Sequence, residues 1–193
     1  MKASLRKRVF CYILDFFIIA IIGWILSIIV PKSTEYIAAQ NDMSILSERY
    51  LNNEISFLEY FNEYSILAKE IDQNNILYVS IYFVSVLIYF IVVPLCLKGR
   101  TLGMLLLKLK VKDKSKNLFK VVLIRGIVAY GVLYYLFGLM ILLVPGRLYF
   151  IILTILAIIQ IFVVIYSVFM IKYRDDKRSL ADILSNSNIL VES

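Results

Sequence analysis

The first residues able to do chemistry are Arg8 and Asp15, seven positions apart in RKRVFCYILDFFIIAIIGWILSII. Seven positions is close to two α-helical turns, so both charges fall on one face, with Cys11 and Tyr12 between them. Their axial separation of ~10 Å is too great for easy contact, and Asp15 calls for another partner. Arg125, in VVLIRGIV, lies about five residues into a later apolar run and should reach the same depth. Two buried charges are tolerable as a pair, whereas a lone ion in low dielectric is much the costlier case. An Asp15–Arg125 ionic centre is therefore expected. Two roles fit it: an ion pair that fixes helix packing, or a carboxylate that binds a proton or a cation, because ionisable residues inside spans mark ion paths and proton relays.

Other chemistry is bounded by what the chain lacks. It contains no His, which removes the commonest general base and metal ligand. A Ser-His-Asp or Cys-His set cannot be assembled, and zinc would need Cys and carboxylates alone. No enzyme activity, metal or cofactor is expected. Cys11 and Cys96 read as reduced packing residues. The GRTLG stretch, residues 99–103, lacks the Gly-Lys-Ser/Thr ending of a phosphate-binding loop. Gln160 is the one amide deep in an apolar run; it either bonds a neighbouring helix or lines a polar path.

The elements that must position these groups are membrane helices. Hydrophobic residues make up 61% of the 193 and charged ones 18%, the balance of a small polytopic membrane protein. Four apolar runs, 9–30, 76–97, 121–144 and 148–171, are each long enough to cross a hydrocarbon core of ~30 Å. A secretory signal is the competing reading of the first, and a span is expected instead: the run exceeds the usual core of ~7 to 15 residues, it carries Asp15, and three similar runs follow. Pro31 ends the first run, Pro145-Gly146 turns between the last two, and Pro94 should kink the end of the second. In the third, Gly131 and Gly138 allow close approach of a neighbouring helix and Gly126 leaves room beside Arg125, while Tyr130, Tyr134 and Tyr135 read as packing or interfacial residues.

Orientation follows from the positive charges. Lys2, Arg6, Lys7 and Arg8 precede the first run, eight basic residues lie between Lys98 and Lys120, and Lys172, Arg174, Lys177 and Arg178 follow the last. Residues 32–75 carry three basic and eight acidic residues. Both termini are thus expected in the cytoplasm and 32–75 outside, in a cell-membrane protein. The net charge of +7 then points to anionic lipid head groups rather than nucleic acid. Within 32–75, Ile45, Leu46, Tyr50 and Leu51 suggest one amphipathic helix, and Phe57, Leu58, Phe61, Tyr64 and Leu67 another, forming a cap or a ligand-binding lid. LGMLLLKL suits a short interfacial helix. The alternation at 108–113 predicts a strand pairing with 187–192 as a two-stranded ribbon.

These motifs in this order resemble the RDD family of small bacterial membrane proteins. Its opening Arg, with an Asp seven positions later, is similar to Arg8 and Asp15; its Gly-x-Thr-x-Gly before an apolar stretch and a basic strand resembles Gly99, Thr101 and Gly103 in KGRTLGMLLLKLKVKD. Its Arg in the next span resembles Arg125, and its second Asp resembles Asp182 in SLADILSNSNIL, with Ala181 and Ser187 standing where the family often has His and Thr. The resemblance implies one membrane domain over 1–193 and a transport-related or accessory role, with cation/proton exchange proposed for some members. It also implies that Asp182 folds back against the membrane to meet Arg8 or Arg100; capping of a short tail helix is the competing role. The expected fold is an all-α membrane protein with four transmembrane helices, an amphipathic helical external segment, a short interfacial helix and a two-stranded ribbon. Transport by so few polar groups would call for a homo-oligomer, and a scaffold binding other membrane proteins is the alternative function.

Overall fold

Ser4 starts α1, Leu5–Ile29, by accepting the Lys7 N–H on its hydroxyl, and the extended Val30 before Pro31 ends it. The computed structural model describes residues 2–113 and 117–192; Lys114 and Lys116 of the basic connection, with Met1 and Ser193, lie outside the described residues. At ~1.5 Å per residue, the 25 residues of α1 exceed the ~30 Å needed to cross a bilayer core. Its buried positions are Arg8, Cys11, Asp15, Ile19 and Gly23, a single stripe spaced by three and four. Phe16, Phe17, Ile21, Trp24 and Ile28 are exposed on the other faces. A polar inner stripe beneath an apolar exterior inverts the pattern of a soluble helix and suits a lipid surrounding.

Two amphipathic helices follow, α2 Thr34–Leu51 and α3 Phe57–Asn74, longer than the two predicted but at the same places. Ser33 caps the first, and a Ser56/Glu59 capping box starts the second. They pair as a hairpin, and α3 packs on the start of α9, Gly146–Tyr173, where Phe61 and Tyr64 meet Phe150 at 5.6 and 5.2 Å. Tyr149 donates to Asp72 across the same contact. Burial raises the Asp72 carboxyl above the ordinary range, an effect that this hydrogen bond only partly offsets.

The second long helix runs Ile76–Cys96 but is not uniform. α4, Ile76–Leu87, passes into a π-helical turn, Ile88–Val92, and then into α5, Val93–Cys96. Pro94 is the physical cause: it has no N–H for the carbonyl four residues back, and its ring crowds that turn. The wider turn, in which the Val93 N–H donates to the Ile88 carbonyl, relieves the clash and carries Tyr89 and Phe90 into the interior.

The third apolar run, expected as a span over 121–144, is interrupted within its length. It is two helices, α7 Leu118–Tyr130 and α8 Val132–Ile141, bent by 75° at Gly131. Gly131 has φ +65°, a left-handed conformation in which glycine is the favoured residue, and it ends α7 as a helix C-cap. Among the described residues there are thus three helices long and apolar enough to cross a membrane, or four with α7 and α8 counted as one broken span.

One end of the bundle, called here the strand end, gathers both termini. The GRTLG turn leads into α6, Leu102–Leu106, and then β1, Leu109–Asp113. β1 pairs antiparallel with β2, Ser187–Val191, with Leu109 opposite Val191 and Asp113 opposite Ser187, within a residue of the predicted ribbon. Lys2 bridges to Leu190, and the Ala3 N–H donates to the Ile189 carbonyl at 3.1 Å. Ala3, Cys11, Met104, Leu109 and Ile189 pack together and dock this small sheet on the foot of α1. Short α10, Leu180–Leu184, closes the same end.

Candidate functional site

The buried stripe of α1 holds two ionic centres rather than one. The upper is Asp15, with no solvent exposure. Its Oδ1 accepts from the Tyr89 hydroxyl at 2.7 Å and the Gly103 N–H at 2.9 Å. Its Oδ2 accepts from the Thr101 hydroxyl at 2.7 Å, the Tyr130 hydroxyl at 3.1 Å and, more weakly, the Cys11 thiol at 3.7 Å. All are uncharged donors, and they converge from α1, the π-helical turn, the GRTLG turn and α7.

Local structure explains each donor. Thr101 is the N-cap of α6 and accepts the Met104 N–H at 3.3 Å, which leaves its hydroxyl hydrogen for Asp15. Gly99, at φ +86°, lets the chain turn sharply before it. Gly103 must be glycine because a Cβ there would lie 2.6 Å from Asp15 Oδ1 and 2.9 Å from the Cys11 carbonyl oxygen. Tyr89 faces inward through the turn forced by Pro94, and Tyr130 is the last residue of α7 before the break.

The expected Asp15–Arg125 pair is therefore corrected. An ionised Asp costs ~2.5 to 3.5 kcal/mol at a span's centre, and each hydrogen bond to a charged group returns roughly 1.5 to 3 kcal/mol, so two good donors already offset the cost. Asp15 has four at 3.1 Å or less and needs no counter-ion. Arg125 turns instead toward the strand end, where it donates to Asp182 Oδ1. Gly126 beside it makes room for Ile91 of the neighbouring helix rather than for an ion pair.

Asp182 is the lower centre. Arg8 Nη1 donates to its Oδ2 at 2.5 Å, and the Ser179 N–H reaches the same oxygen at 3.1 Å. Both expected roles meet in this one residue: it forms a capping box with Ser179 and clasps Arg8. Arg100, the other expected partner, pairs with Glu192 at 3.1 Å. Burial by itself would raise the Asp182 carboxyl, but the charges of Arg125 and Arg8 outweigh it and hold the group below the ordinary Asp range. One carboxylate thus binds α1, α7 and α10 together.

Two cavities adjoin the upper centre. The one toward the strand end has about 160 Å³ and lies between α1, α7 and α9, with Arg8, Cys11, Arg125 and Ser167 in its wall. The other, about 180 Å³, lies toward the bend and is walled by Phe16, Tyr134, Tyr135 and Gln160. Tyr12 and Tyr130 line both. Their rings stack at 5.8 Å and 11°, so this pair stands between the cavities. Gln160 donates to the Val128 carbonyl at 3.4 Å, serving an acceptor that the break at Gly131 leaves short of a partner, and it also faces the second cavity. Of the two roles expected of it, the bond to a neighbouring helix is the one observed.

Arg8, Asp15, Gly99, Thr101, Gly103, Arg125 and Asp182 thus all lie at or beside the two centres. Tyr89, Tyr130 and Cys11 were not identified as ligands of Asp15 by sequence. Cys11 had a usable signal, since it sits four residues before Asp15 on the same helical face. Compared with known proteins, the chain matches the family model of the RDD family over residues 2–186. It matches no curated protein and no solved structure.

Proposed function

We propose, on the premise that this chain belongs to the RDD family, that it acts in transport, with Asp15 as the carboxylate that binds a proton or an alkali cation in exchange. One observation carries this reading. Asp15 is fully buried within an apolar helix and takes a bond from Tyr130, whose ring is one of the two that stand between the cavities. Asp15 itself lines neither cavity, so movement of the Tyr12–Tyr130 pair would be what gives it access to each in turn, as alternating access calls for. Three hydroxyls beside it can turn from donating to accepting, so the same cage serves a proton on Asp15 or a cation held by oxygens. The helix broken at Gly131 supports the same reading, because interrupted spans beside a buried polar site recur in transporters.

The positive charges support a cytoplasmic strand end: Lys2, Arg6, Lys7, Lys172 and Arg174 flank the spans there, while the α2–α3 hairpin is acidic and would lie outside the cell membrane. The test is exchange by purified protein in proteoliposomes, with a pH-sensitive dye inside and Na⁺, Li⁺ or K⁺ added outside. Cation-dependent proton movement supports the reading.

A second reading rests on the turn of the hairpin, where Leu51, Phe57 and Leu58 are exposed at 76, 66 and 69%. An exposed apolar cluster at the tip of the hairpin suits a scaffold or accessory subunit that binds another membrane protein. It predicts a stable co-purifying partner and no exchange by the isolated chain.

A further inference from the structure

The cavity toward the strand end has a chemical character that Asp15 does not use. Its wall combines two guanidinium groups, Arg8 and Arg125, with the hydroxyls of Ser167 and Ser179 and the apolar side chains of Val164, Val168 and Ile171. Two cations there share one carboxylate, Asp182. Arg8 is only 7% exposed, and its Nε–H is a buried donor without an acceptor among the described residues. Arg125 spends one N–H on Asp182, and no described residue accepts the others. The Ser167 hydroxyl likewise makes no hydrogen bond among the described residues, although Ser85 and Thr154 each bond the carbonyl four residues back in their helices. Buried donors are normally satisfied, so the Arg8 Nε–H, the one buried side-chain donor among the described residues that lacks a partner, calls for an acceptor. The cavity is also large enough for several waters, so it can admit a group of atoms and not only one solvent molecule.

We infer that this cavity is a binding site for the anionic head of an amphiphile, a phosphate or carboxylate group held by Arg8, Arg125 and Ser167 with its apolar part along Val164, Val168 and Ile171. Guanidinium donors suit such oxyanions by charge and by planar geometry. Only the upper wall, through Cys11 and Tyr130, approaches Asp15, and the anion would face Asp182 across the two arginines. The site is distinct from general attraction of lipid to surface lysines, because its two guanidinium groups are buried. It does not depend on the exchange proposed for Asp15.

Native mass spectrometry of the full chain released from detergent tests the inference. The protein is offered dioleoylphosphatidylglycerol against dioleoylphosphatidylcholine at equal concentration in 0.5 M ammonium acetate, on the order of a Debye length of a few ångströms, where surface attraction is screened. The expected result is at least about a tenfold preference for the phosphatidylglycerol adduct, a difference of ~1.4 kcal/mol. Ser167→Leu, which fills the cavity and changes no charge, should abolish the preference, as should Arg8→Lys, which keeps the charge but removes the Nε–H. Competition by oleate identifies a free fatty acid as the occupant, and competition by inorganic phosphate alone identifies a soluble anion; either supports the anion site. Equal binding of the two lipids by wild type, read without any variant, overturns it. So does an unchanged preference in Ser167→Leu.

Discussion

Tyr130 donates its hydroxyl to Asp15 at 3.1 Å while its ring stacks on Tyr12 at 5.8 Å. One side chain thereby ties the buried carboxylate to the boundary between two cavities. The lower centre, where Asp182 clasps Arg8 and Arg125, holds the helices that frame this arrangement.

Asp182→Asn should be severely destabilising. It leaves two buried guanidinium groups without their shared counter-charge, and breaking a buried ionic contact on one side costs about 3 to 5 kcal/mol. Thermal unfolding in detergent, followed by helical circular dichroism, should show a much lower midpoint. Glu192→Gln, which removes the half-exposed partner of Arg100, should change it little.

The same carboxylate sets an acid limit. Its folded value lies below the ordinary Asp value of ~3.9, so its stabilisation is fully present above that value and is lost as pH falls below it toward the folded one. The wild-type midpoint should therefore drop on acidification below about pH 4. Asp182→Asn should lack that component of the drop.

Gly103→Ala should disrupt the Asp15 cage. The added carbon would sit 2.6 Å from Asp15 Oδ1, which its other hydrogen bonds hold in place, and 2.9 Å from the backbone Cys11 carbonyl oxygen, and overpacking of this sort costs typically about 1 to 3 kcal/mol. Gly138→Ala is the contrast within α8. Its Cβ would meet only Leu153 Cδ2 at 3.9 Å, so the gain of helix propensity, about 0.5 to 1 kcal/mol, should leave stability equal or higher.

Gly131→Ala and Gln160→Leu should both weaken the break in the third span. The first forces an L-residue to φ +65° with its Cβ 2.9 Å from Gln160 Cδ; the second removes the donor to the Val128 carbonyl. Losses of about 1 to 3 kcal/mol are expected for each. Because the two residues touch, the double variant should cost less than the sum, which a thermodynamic cycle on the unfolding midpoints would show.

The parts of this fold legible in the sequence are those with a local signature. Helical spacing placed Arg8, Cys11 and Asp15 on one face, alternation at 108–113 located the ribbon strand, and Gly99, Thr101 and Gly103 were recognisable as a unit. The partner of Asp15 was not legible, because the chain has 14 tyrosines and nothing in their spacing selects Tyr89 and Tyr130. Charge pairing was the natural expectation, and uncharged donors meeting from four segments replaced it. Asp182 finds Arg8 across 174 positions of sequence, a contact for which local pattern carries no information. The break at Gly131 was hidden for a simpler reason: a glycine in an apolar run allows both close packing and a left-handed turn, and only the geometry around Gln160 distinguishes them.

The most direct measurement is proton-coupled Na⁺, Li⁺ or K⁺ exchange in proteoliposomes by wild type and Asp15→Asn, each reconstituted in equal amount and checked for an intact unfolding transition. Asn preserves the size of the side chain but cannot take up a proton or carry its charge. Exchange by the wild type and at least about a tenfold loss in Asp15→Asn are expected, equivalent to ~1.4 kcal/mol in the barrier. Equal exchange by a folded Asp15→Asn variant, or none by the wild type, would contradict the role proposed for Asp15.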